Sequence, residues 1–170
     1  LTNILLKLIL QIKKGPLTQS LKNMNKCEDC NMCCKLPEIP NFKKSYTWCK
    51  NCTIGSNCKI YKNRPQKCKD FYCLYLKGLT ELKPNKCGFF IFPESDLSLK
   101  QKVFTVYTEE HKLNSIPKAI MKDSKLNTLV QDKWAFHIRY NNNDNDLAIF
   151  DYWLFGMTAK KLKRSEYETK

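Results

Sequence analysis

The chain has 170 residues, 42% of them hydrophobic and 27% charged, and 30 lysines and arginines against 16 acidic residues give a formal net charge of +14. Length and composition are those of one globular domain, residues 1–170, with a hydrophobic core of its own. They exclude a small disulfide-rich domain, in which the ten cysteines would have to compensate for a missing core.

The chain divides into three regions by composition. Residues 1–26 predict a helical N-terminal segment, residues 27–87 form a cysteine-rich region, and residues 88–160 predict a mixture of helices and strands. The cysteine-rich region lacks regular hydrophobic periodicity, as expected where metal replaces a core. The predicted fold class is α+β: a cysteine-rich metal-binding region with little regular structure, packed on a small antiparallel β-sheet with a few helices.

The N-terminal segment begins with an apolar run over residues 1–10 that two lysines soon follow. The run has no basic n-region before it and no small-residue cleavage site after it, so it is a poor secretory signal, and it is too short to span a bilayer. We expect an amphipathic helix that caps the core; the alternative is a helix on a membrane surface. Thr18 or Ser20 would cap a second short helix after Gly15–Pro16.

Nine of the ten cysteines lie within one stretch of 47 residues, and only Cys87 lies outside it. A disulfide framework would need an oxidising compartment and a secretory signal. Reduced thiols packed this densely are usually metal ligands, so we expect a cytoplasmic protein in which all nine bind metal. The predicted ligands are Cys27, Cys30, Cys33, Cys34, Cys49, Cys52, Cys58, Cys68 and Cys73.

The first cysteine cluster runs from Cys27 to Cys34 with the pattern C-x2-C-x2-C-C. Two intervening residues let successive sulfur atoms converge on one metal, at about 2.3 Å for zinc. The same run begins the bacterial ferredoxin pattern, although no proline follows the last cysteine here. Adjacent cysteines usually point in different directions, so Cys33 and Cys34 could serve different metals.

The second and third clusters follow after a gap. Cys49 and Cys52 form a knuckle-like pair, and a Gly-Ser-Asn turn returns the chain to Cys58. Cys68 and Cys73 are five residues apart, which is about 140° on an ideal helix. Either the helix is distorted there or the two cysteines bind different metals.

A helix is predicted to start at Arg64-Pro65, with Asn63 as its N-cap. Two roles are open for Arg64. Its guanidinium could offset the thiolate charge and hydrogen-bond to a ligating sulfur atom. Alternatively, it could form a surface ion pair with Asp70 or Glu38.

These spacings resemble the CxxCxxCC family of zinc- or iron-chelating proteins, a group that includes flagellin N-methylase-like proteins. The resemblance covers about residues 27–92, and a later feature, Lys83-Pro84-Asn85-Lys86, has lysine where the family tends to have arginine. It implies that the nine cysteines are metal ligands. It does not carry the methylase activity, because a chain with five glycines offers no glycine-rich cofactor loop. The matching residues are Cys27, Cys30, Cys33, Cys34, Trp48, Cys49, Cys52, Gly55, Cys58, Ile60, Tyr61, Arg64, Pro65, Cys68, Phe71, Cys73 and Leu76.

The third region predicts four strands and one helix. Apolar and alternating patterns predict strands at residues 89–92 and 103–108, and Pro117 predicts the first turn of a helix that runs to about Lys133. Residues 134–140 and 147–153 predict a hairpin around an Asn/Asp-rich turn. The tail, residues 160–170, is highly charged, and we expect it to be frayed. The predicted inner side of the helix carries Ile120, Leu126, Leu129 and Val130.

Three functions remain open from the sequence. The first is a zinc- or iron-binding protein with a structural or metal-handling role, whose partner would be a metal acceptor. The second is an iron–sulfur protein acting as a redox or methyl-transfer accessory. The third is a zinc-stabilised nucleic-acid-binding module, although thiolates and bound metal would reduce the net charge to about +9.

Nothing in the sequence indicates catalysis. Both histidines, His111 and His137, lie outside the cysteine-rich region, and a fully cysteine-ligated zinc has no open position for water. We therefore do not expect an enzyme. Cys87 does not map to the motif and is interpreted as a small buried hydrophobic residue.

Overall fold

The computed structural model describes residues 25–93, 103–132, 134–140, 146–150 and 159–163. The predicted N-terminal helices, with the capping candidates Thr18 and Ser20, lie outside these ranges. No helix in the described ranges has the length and hydropathy needed to cross a membrane.

Regular structure in the cysteine-rich region is limited to single turns of helix. These are α1 (Met32–Lys35), a 3-10 turn (Tyr61–Asn63), α2 (Gln66–Lys69) and α3 (Pro84–Cys87). Turns and loops connect them, as the weak hydrophobic periodicity predicted. Gly88 ends α3 in the left-handed conformation, with φ of 85°, and leads directly into the sheet.

The predicted helix start near Arg64-Pro65 is confirmed, but its cap is not. Pro65 occupies the N-cap position of α2 and no side chain caps the helix, whereas Asn63 ends the preceding 3-10 turn. The helix ends at Lys69, where the amide of Asp70 closes the last turn on the carbonyl of Gln66 at 2.9 Å. Cys73 therefore lies beyond the helix that carries Cys68.

Five strands form one sheet in the order β1 to β5. They are β1 (Phe89–Phe92), β2 (Val103–Thr108), β3 (Ala135–Tyr140), β4 (Asp146–Phe150) and β5 (Ala159–Lys163). The α+β class is confirmed, but the prediction of a purely antiparallel sheet is wrong because β2 and β3 run parallel. The helices between these two strands form a crossover, which returns the chain to the same end of the sheet.

The register of the strands pairs apolar residues with apolar residues. Ile91 of β1 is opposite Val106 of β2, and Val106 is in turn paired with Ile138 of β3. The predicted hairpin is confirmed as the antiparallel pair β3–β4, in which Ile138 is opposite Ala148. Apolar partners across three strands give the sheet one continuous buried face.

The prediction of a frayed tail from residue 160 is wrong for its first residues, because Ala159–Lys163 forms β5 and pairs antiparallel with β4. High charge argued for solvent exposure, but an edge strand needs only backbone pairing on one side. Lysines are common on such strands because they discourage further pairing. Residues 164–170 lie outside the described ranges.

The crossover contains a 3-10 turn (Glu110–Ser115), α4 (Ile116–Lys122) and α5 (Ser124–Gln131). Pro117 lies in the first turn of α4, as predicted. The predicted single helix is instead split at Asp123, whose carboxylate accepts hydrogen bonds from the first amides of α5 and caps it. The same carboxylate accepts hydrogen bonds from Thr80 Oγ1 at 2.6 Å and Glu81 N at 2.8 Å.

Strand β1 separates two hydrophobic clusters because its side chains alternate between the faces of the sheet. Phe89 and Ile91 belong to the main core, which includes the predicted helix residues Ile120, Leu126 and Leu129. Phe90 belongs to a smaller cluster on the other face, together with Leu36, Cys73 and the ring of Phe71. The part of the cysteine-rich region around Leu36 and Cys73 therefore packs against the face of β1 that is turned away from the main core, whereas Leu74 and Leu79 belong to the main core itself.

Candidate metal centre

The first cysteine turn is closed by its own backbone. The amide of Cys30 donates to the carbonyl of Cys27 at 2.8 Å, and Glu28 between them adopts the left-handed conformation, with φ of 48°. Helix α1 then carries Cys33 and Cys34, which are about 100° apart around its axis. A single turn and a single helical turn thus present four thiols over eight residues, from 27 to 34.

The second cysteine segment is hydrogen-bonded directly to the first. The amide of Cys49 donates to the carbonyl of Cys34 at 2.9 Å, and the amide of Cys52 donates to the carbonyl of Cys49 at 2.9 Å. Cys52 and Cys58 then face each other in an antiparallel bridge. Gly55, with φ of 75°, lies in the loop between them, where only glycine takes this conformation at no cost.

Asn31 connects these two segments through a side-chain hydrogen bond. Its side chain is buried, and its Oδ1 accepts a hydrogen bond from the amide of Gly55 at 2.7 Å. The sequence analysis missed this residue. An asparagine between two cysteines carries no recognisable signal, because its partner is 24 residues away in the chain.

The two cysteines of the third segment, Cys68 and Cys73, have different thiol neighbours. Cys68, on α2, interacts electrostatically with the thiols of Cys34, Cys49 and Cys58. Cys73 is buried, and its thiol interacts instead with those of Cys27 and Cys30. The helix ends at Lys69, so the ideal helical geometry does not extend from Cys68 to Cys73, and the two thiols have different neighbours.

Burial keeps most of these thiols protonated when no metal is bound. It raises the pKa of Cys27 to about 11 and that of Cys73 to about 12, and it also raises the pKa of Cys30. A metal that binds these thiols would therefore have to displace their protons, and its affinity would rise with pH.

Cys34 differs from its neighbours. The thiol of Cys33 donates a hydrogen bond to its sulfur, Cys52 donates a second, and the positive charges of Lys43 and Arg64 add to the effect. Together they lower the pKa of Cys34 to about 6. Cys33 keeps its proton for the same reason, since donating to Cys34 and burial both raise its pKa. Cys34 is thus a thiolate at neutral pH even without metal.

Two cations lie among the thiols. The ammonium of Lys43 donates to the carbonyls of Lys35 and Lys44 at 3.0 and 2.9 Å. Burial lowers the pKa of Lys43, and the nearby thiols of Cys49, Cys34, Cys68 and Cys33 oppose that shift. The sequence analysis missed Lys43, which is one of many lysines in the chain and is distinguished only by this burial.

Arg64 is the second cation. Its guanidinium carbon lies 3.9 Å from the centre of the Tyr61 ring, and its charge acts on Cys27, Cys34 and Cys68. It forms no ion pair with Asp70 or Glu38 among the described residues; Asp70 accepts a hydrogen bond from Gln66 at 2.7 Å instead. The buried Nε of Arg64 has no hydrogen-bond partner, so it is available to a sulfur atom.

The later sequence feature, residues 83–86, holds the first cysteine turn in place. The Lys83 ammonium binds the carboxylates of Glu28 and Asp29 at 2.9 and 2.7 Å. Asn85 Nδ2 donates to the other oxygen of Asp29 at 2.8 Å. The hydrogen bond from Lys83 is the main reason that the pKa of Asp29 is lowered.

Cys87 has the contacts of a small hydrophobic residue. It packs against the main core, and its thiol donates a hydrogen bond to the carbonyl of Phe89 at 3.1 Å. Burial raises its pKa to about 11. These contacts match the interpretation drawn from the sequence.

The thiols meet in pairs rather than in a closed set. In the described part of the chain, no group of three or more cysteine, histidine or acidic side chains has the arrangement of a metal site. The direct sulfur contacts are Cys33–Cys34 and Cys34–Cys52. The donor set nevertheless suits a soft metal, because it consists of thiols and has cations beside it, and rotation about χ1 would turn neighbouring sulfur atoms toward one ion.

No family model, curated protein or solved structure matches this chain. The resemblance to the CxxCxxCC family therefore rests on the motif residues alone.

Proposed function

We propose that this protein binds zinc or iron through the nine cysteines between residues 27 and 73, in a structural or metal-handling role. The observation that supports it best is the folding of three separate cysteine segments against one another. The direct backbone hydrogen bond from Cys49 to Cys34 joins two of them, and the electrostatic interactions of Cys68 and Cys73 include the third. Thiols that share a fold in this way, with no disulfide among them, are typical metal ligands.

The choice between zinc or iron ions and an iron–sulfur cluster depends on the ligand geometry. Short loops such as Cys49-x2-Cys52, closed by an amide-to-carbonyl bond, are typical of structural zinc knuckles. The C-x2-C-x2-C run that begins at Cys27 also suits a cluster, which would support a redox or methyl-transfer accessory role. We favour individual metal ions, and a reducing compartment such as the cytoplasm.

A catalytic role has less support. His111 lies in the 3-10 turn before α4, and His137 lies in β3, so neither is part of the cysteine-rich region. Metal held by thiolates alone would have no open position for a reacting water molecule. We therefore propose a protein that stores, transfers or is stabilised by its metal, with a metal acceptor as its partner.

Elemental analysis with an ultraviolet–visible spectrum tests this proposal, on protein purified without oxygen and without an affinity metal. We expect about one to three zinc ions per chain and no visible absorption. Iron with acid-labile sulfide and a broad absorption band at about 400 nm would indicate the cluster instead. Protein that contains neither metal and has oxidised thiols would contradict the proposal.

A second candidate function is single-stranded nucleic-acid binding. Residues 39–69 contain eight lysines and arginines and no acidic residue. The same segment exposes the rings of Trp48 and Tyr61, which retain 38% and 63% of their accessible surface. Exposed aromatic rings among cations are the features on which unpaired bases stack.

Fluorescence anisotropy with a labelled single-stranded oligonucleotide tests this candidate. Binding should weaken steeply as salt is raised, and it should weaken further in Trp48→Ala and Tyr61→Ala variants. Met121→Ala is the matched control, because Met121 is also exposed but lies on α4, outside the basic segment. Equal loss in all three variants, or no binding at low salt, would exclude this function.

A further inference from the structure

The contacts among the thiols divide the nine cysteines into two groups. In the first thiol group, Cys27 and Cys30 share one turn, and both Cys33 and Cys73 interact with that pair. This group consists of Cys27, Cys30, Cys33 and Cys73.

The second thiol group is built around Cys34. Cys49 is joined to it by the backbone, Cys52 donates a hydrogen bond to its sulfur, and Cys58 is bridged to Cys52. Cys68 interacts with three members of this group. The group consists of Cys34, Cys49, Cys52, Cys58 and Cys68.

The boundary between the two groups lies between Cys33 and Cys34 and between Cys68 and Cys73, and at both points the backbone separates the two cysteines. Cys33 and Cys34 are adjacent on α1, so their side chains leave the helix about 100° apart. Cys68 lies on α2, whereas Cys73 follows the end of that helix and is buried against Leu36 and Phe90. The two groups adjoin through the Cys33–Cys34 hydrogen bond and the electrostatic interaction of Cys27 with Cys34.

Each group also has its own lysine. Lys83 acts on Cys27 and Cys30 and is bound to the carboxylates of the first cysteine turn. Lys43 acts mainly on Cys49, Cys34 and Cys68, and less on Cys33 of the first group. Arg64 acts on members of both groups, so it lies between them. Separate cations are expected where two clusters of negative charge must each be offset.

We propose that the two thiol groups are two separate metal centres, the first with four cysteine ligands and the second drawing on five. This inference rests on the proposed metal-binding function and deepens it. Four thiols complete a tetrahedral ion, so the first centre would be closed. The second group contains one thiol more than such an ion takes.

Metal stoichiometry in cysteine variants tests the division. Native mass spectrometry and elemental analysis would be applied to the wild type, to Cys27→Ser/Cys30→Ser, and to Cys49→Ser/Cys58→Ser/Cys68→Ser. Each variant leaves two thiols in one group and none missing in the other. We expect each to retain about half of the wild-type metal, and the combined variant to retain none. Cys87→Ser removes a thiol that lies near Cys30 but donates its hydrogen bond to the carbonyl of Phe89, and this variant should retain all of the metal.

Three results would overturn the proposal in distinguishable ways. Loss of all metal from either group variant would show one shared centre and would leave the metal-binding function intact. Full retention in either variant would show that its group does not bind metal. Wild-type protein without metal would overturn the proposed function itself. Hydrogen exchange of β2 and β3 amides would identify a variant that has simply unfolded, because neither thiol group belongs to the main core.

Discussion

At the scale of single residues, the chemistry of the candidate site depends on groups that the sequence does not distinguish. Spacing alone predicted the nine cysteines as ligands, and the structure folds their segments together. Asn31 and Lys43 became recognisable only in three dimensions, because Asn31 contacts a segment distant in the chain and Lys43 is distinguished by its burial. Lys83 belonged to a motif feature, but its contact with the first cysteine turn was not predicted. Sequence patterns report local periodicity, whereas these contacts depend on the tertiary fold.

The unusual acidity of Cys34 gives a prediction for the reduced, metal-free protein. Its pKa of about 6 means that it is a thiolate at pH 7, while burial keeps Cys27 and Cys73 protonated. Iodoacetamide should therefore alkylate Cys34 first, at a rate that rises through about pH 6 and then levels off. Peptide mass mapping across a pH series would measure this order of reaction.

The neighbouring thiol supplies the control for that experiment. Cys33→Ala removes the main hydrogen bond to Cys34 and should shift the midpoint of its alkylation upward in pH. Cys87→Ala should leave the midpoint unchanged, because its thiol donates to the carbonyl of Phe89. Uniform alkylation of all nine cysteines at pH 7 would contradict the assignment.

Lys83 gives a second prediction at this scale. Replacing it with methionine removes the cation that holds Glu28 and Asp29, so the turn that presents Cys27 and Cys30 should loosen. We expect metal loss to a chelator to be about tenfold faster, as for other residues that orient metal ligands. Lys86→Met, at an exposed position of the same helix, is the control. Equal release rates would show that the clamp does not support the site.

At the scale of elements, hydrophobic alternation was sufficient for β1, β2 and β3, and proline for the start of α4. The split between α4 and α5 was not predictable, because Asp123 caps one helix and also binds Thr80, which is 43 residues away. The parallel pairing of β2 with β3 was missed because strand direction depends on the path of the crossover. The strand β5 was missed because its charged sequence predicted a frayed tail, and charge does not exclude the backbone pairing of an edge strand.

The role of Asp123 can be tested directly. Asp123→Ala removes a helix cap and leaves the buried Thr80 hydroxyl and the Glu81 amide without their acceptor. The free energy of unfolding should fall by about 3 kcal/mol, from the lost cap and the unsatisfied donors together. Urea denaturation would measure it. Ser124→Ala, at the exposed next position, should change stability by less than about 0.5 kcal/mol, and a similar loss in both variants would refute the explanation.

At the scale of the whole molecule, the main core and the candidate metal centre are built from different residues. The core cluster around β1, β2, β3 and the crossover helices contains none of the nine predicted ligands. One link between the two parts is the segment at Cys73 and Leu74, where the Leu74 amide donates to the carbonyl of Ile91 at 2.9 Å; another is the ion pair of Lys35 with Glu109. The sheet therefore has its own hydrophobic stabilisation, whereas the loops of the cysteine-rich region would depend on metal.

This separation predicts that metal removal loosens one part of the molecule and spares the other. In chelator-treated, reduced protein, amide hydrogen exchange should accelerate at least about tenfold over residues 27–68, where most amides lie in turns. Amides of β2 and β3 should keep their protection, because the side chains of Phe104 and Ile138 remain buried in the main core. Cys73 and Leu74 should behave as an intermediate zone, since one side of this segment is held by β1 and the other by the metal.

Mass spectrometry of exchanged peptides, with and without metal, would resolve the three zones. Equal acceleration throughout the chain would mean instead that the metal and the hydrophobic core stabilise a single cooperative unit.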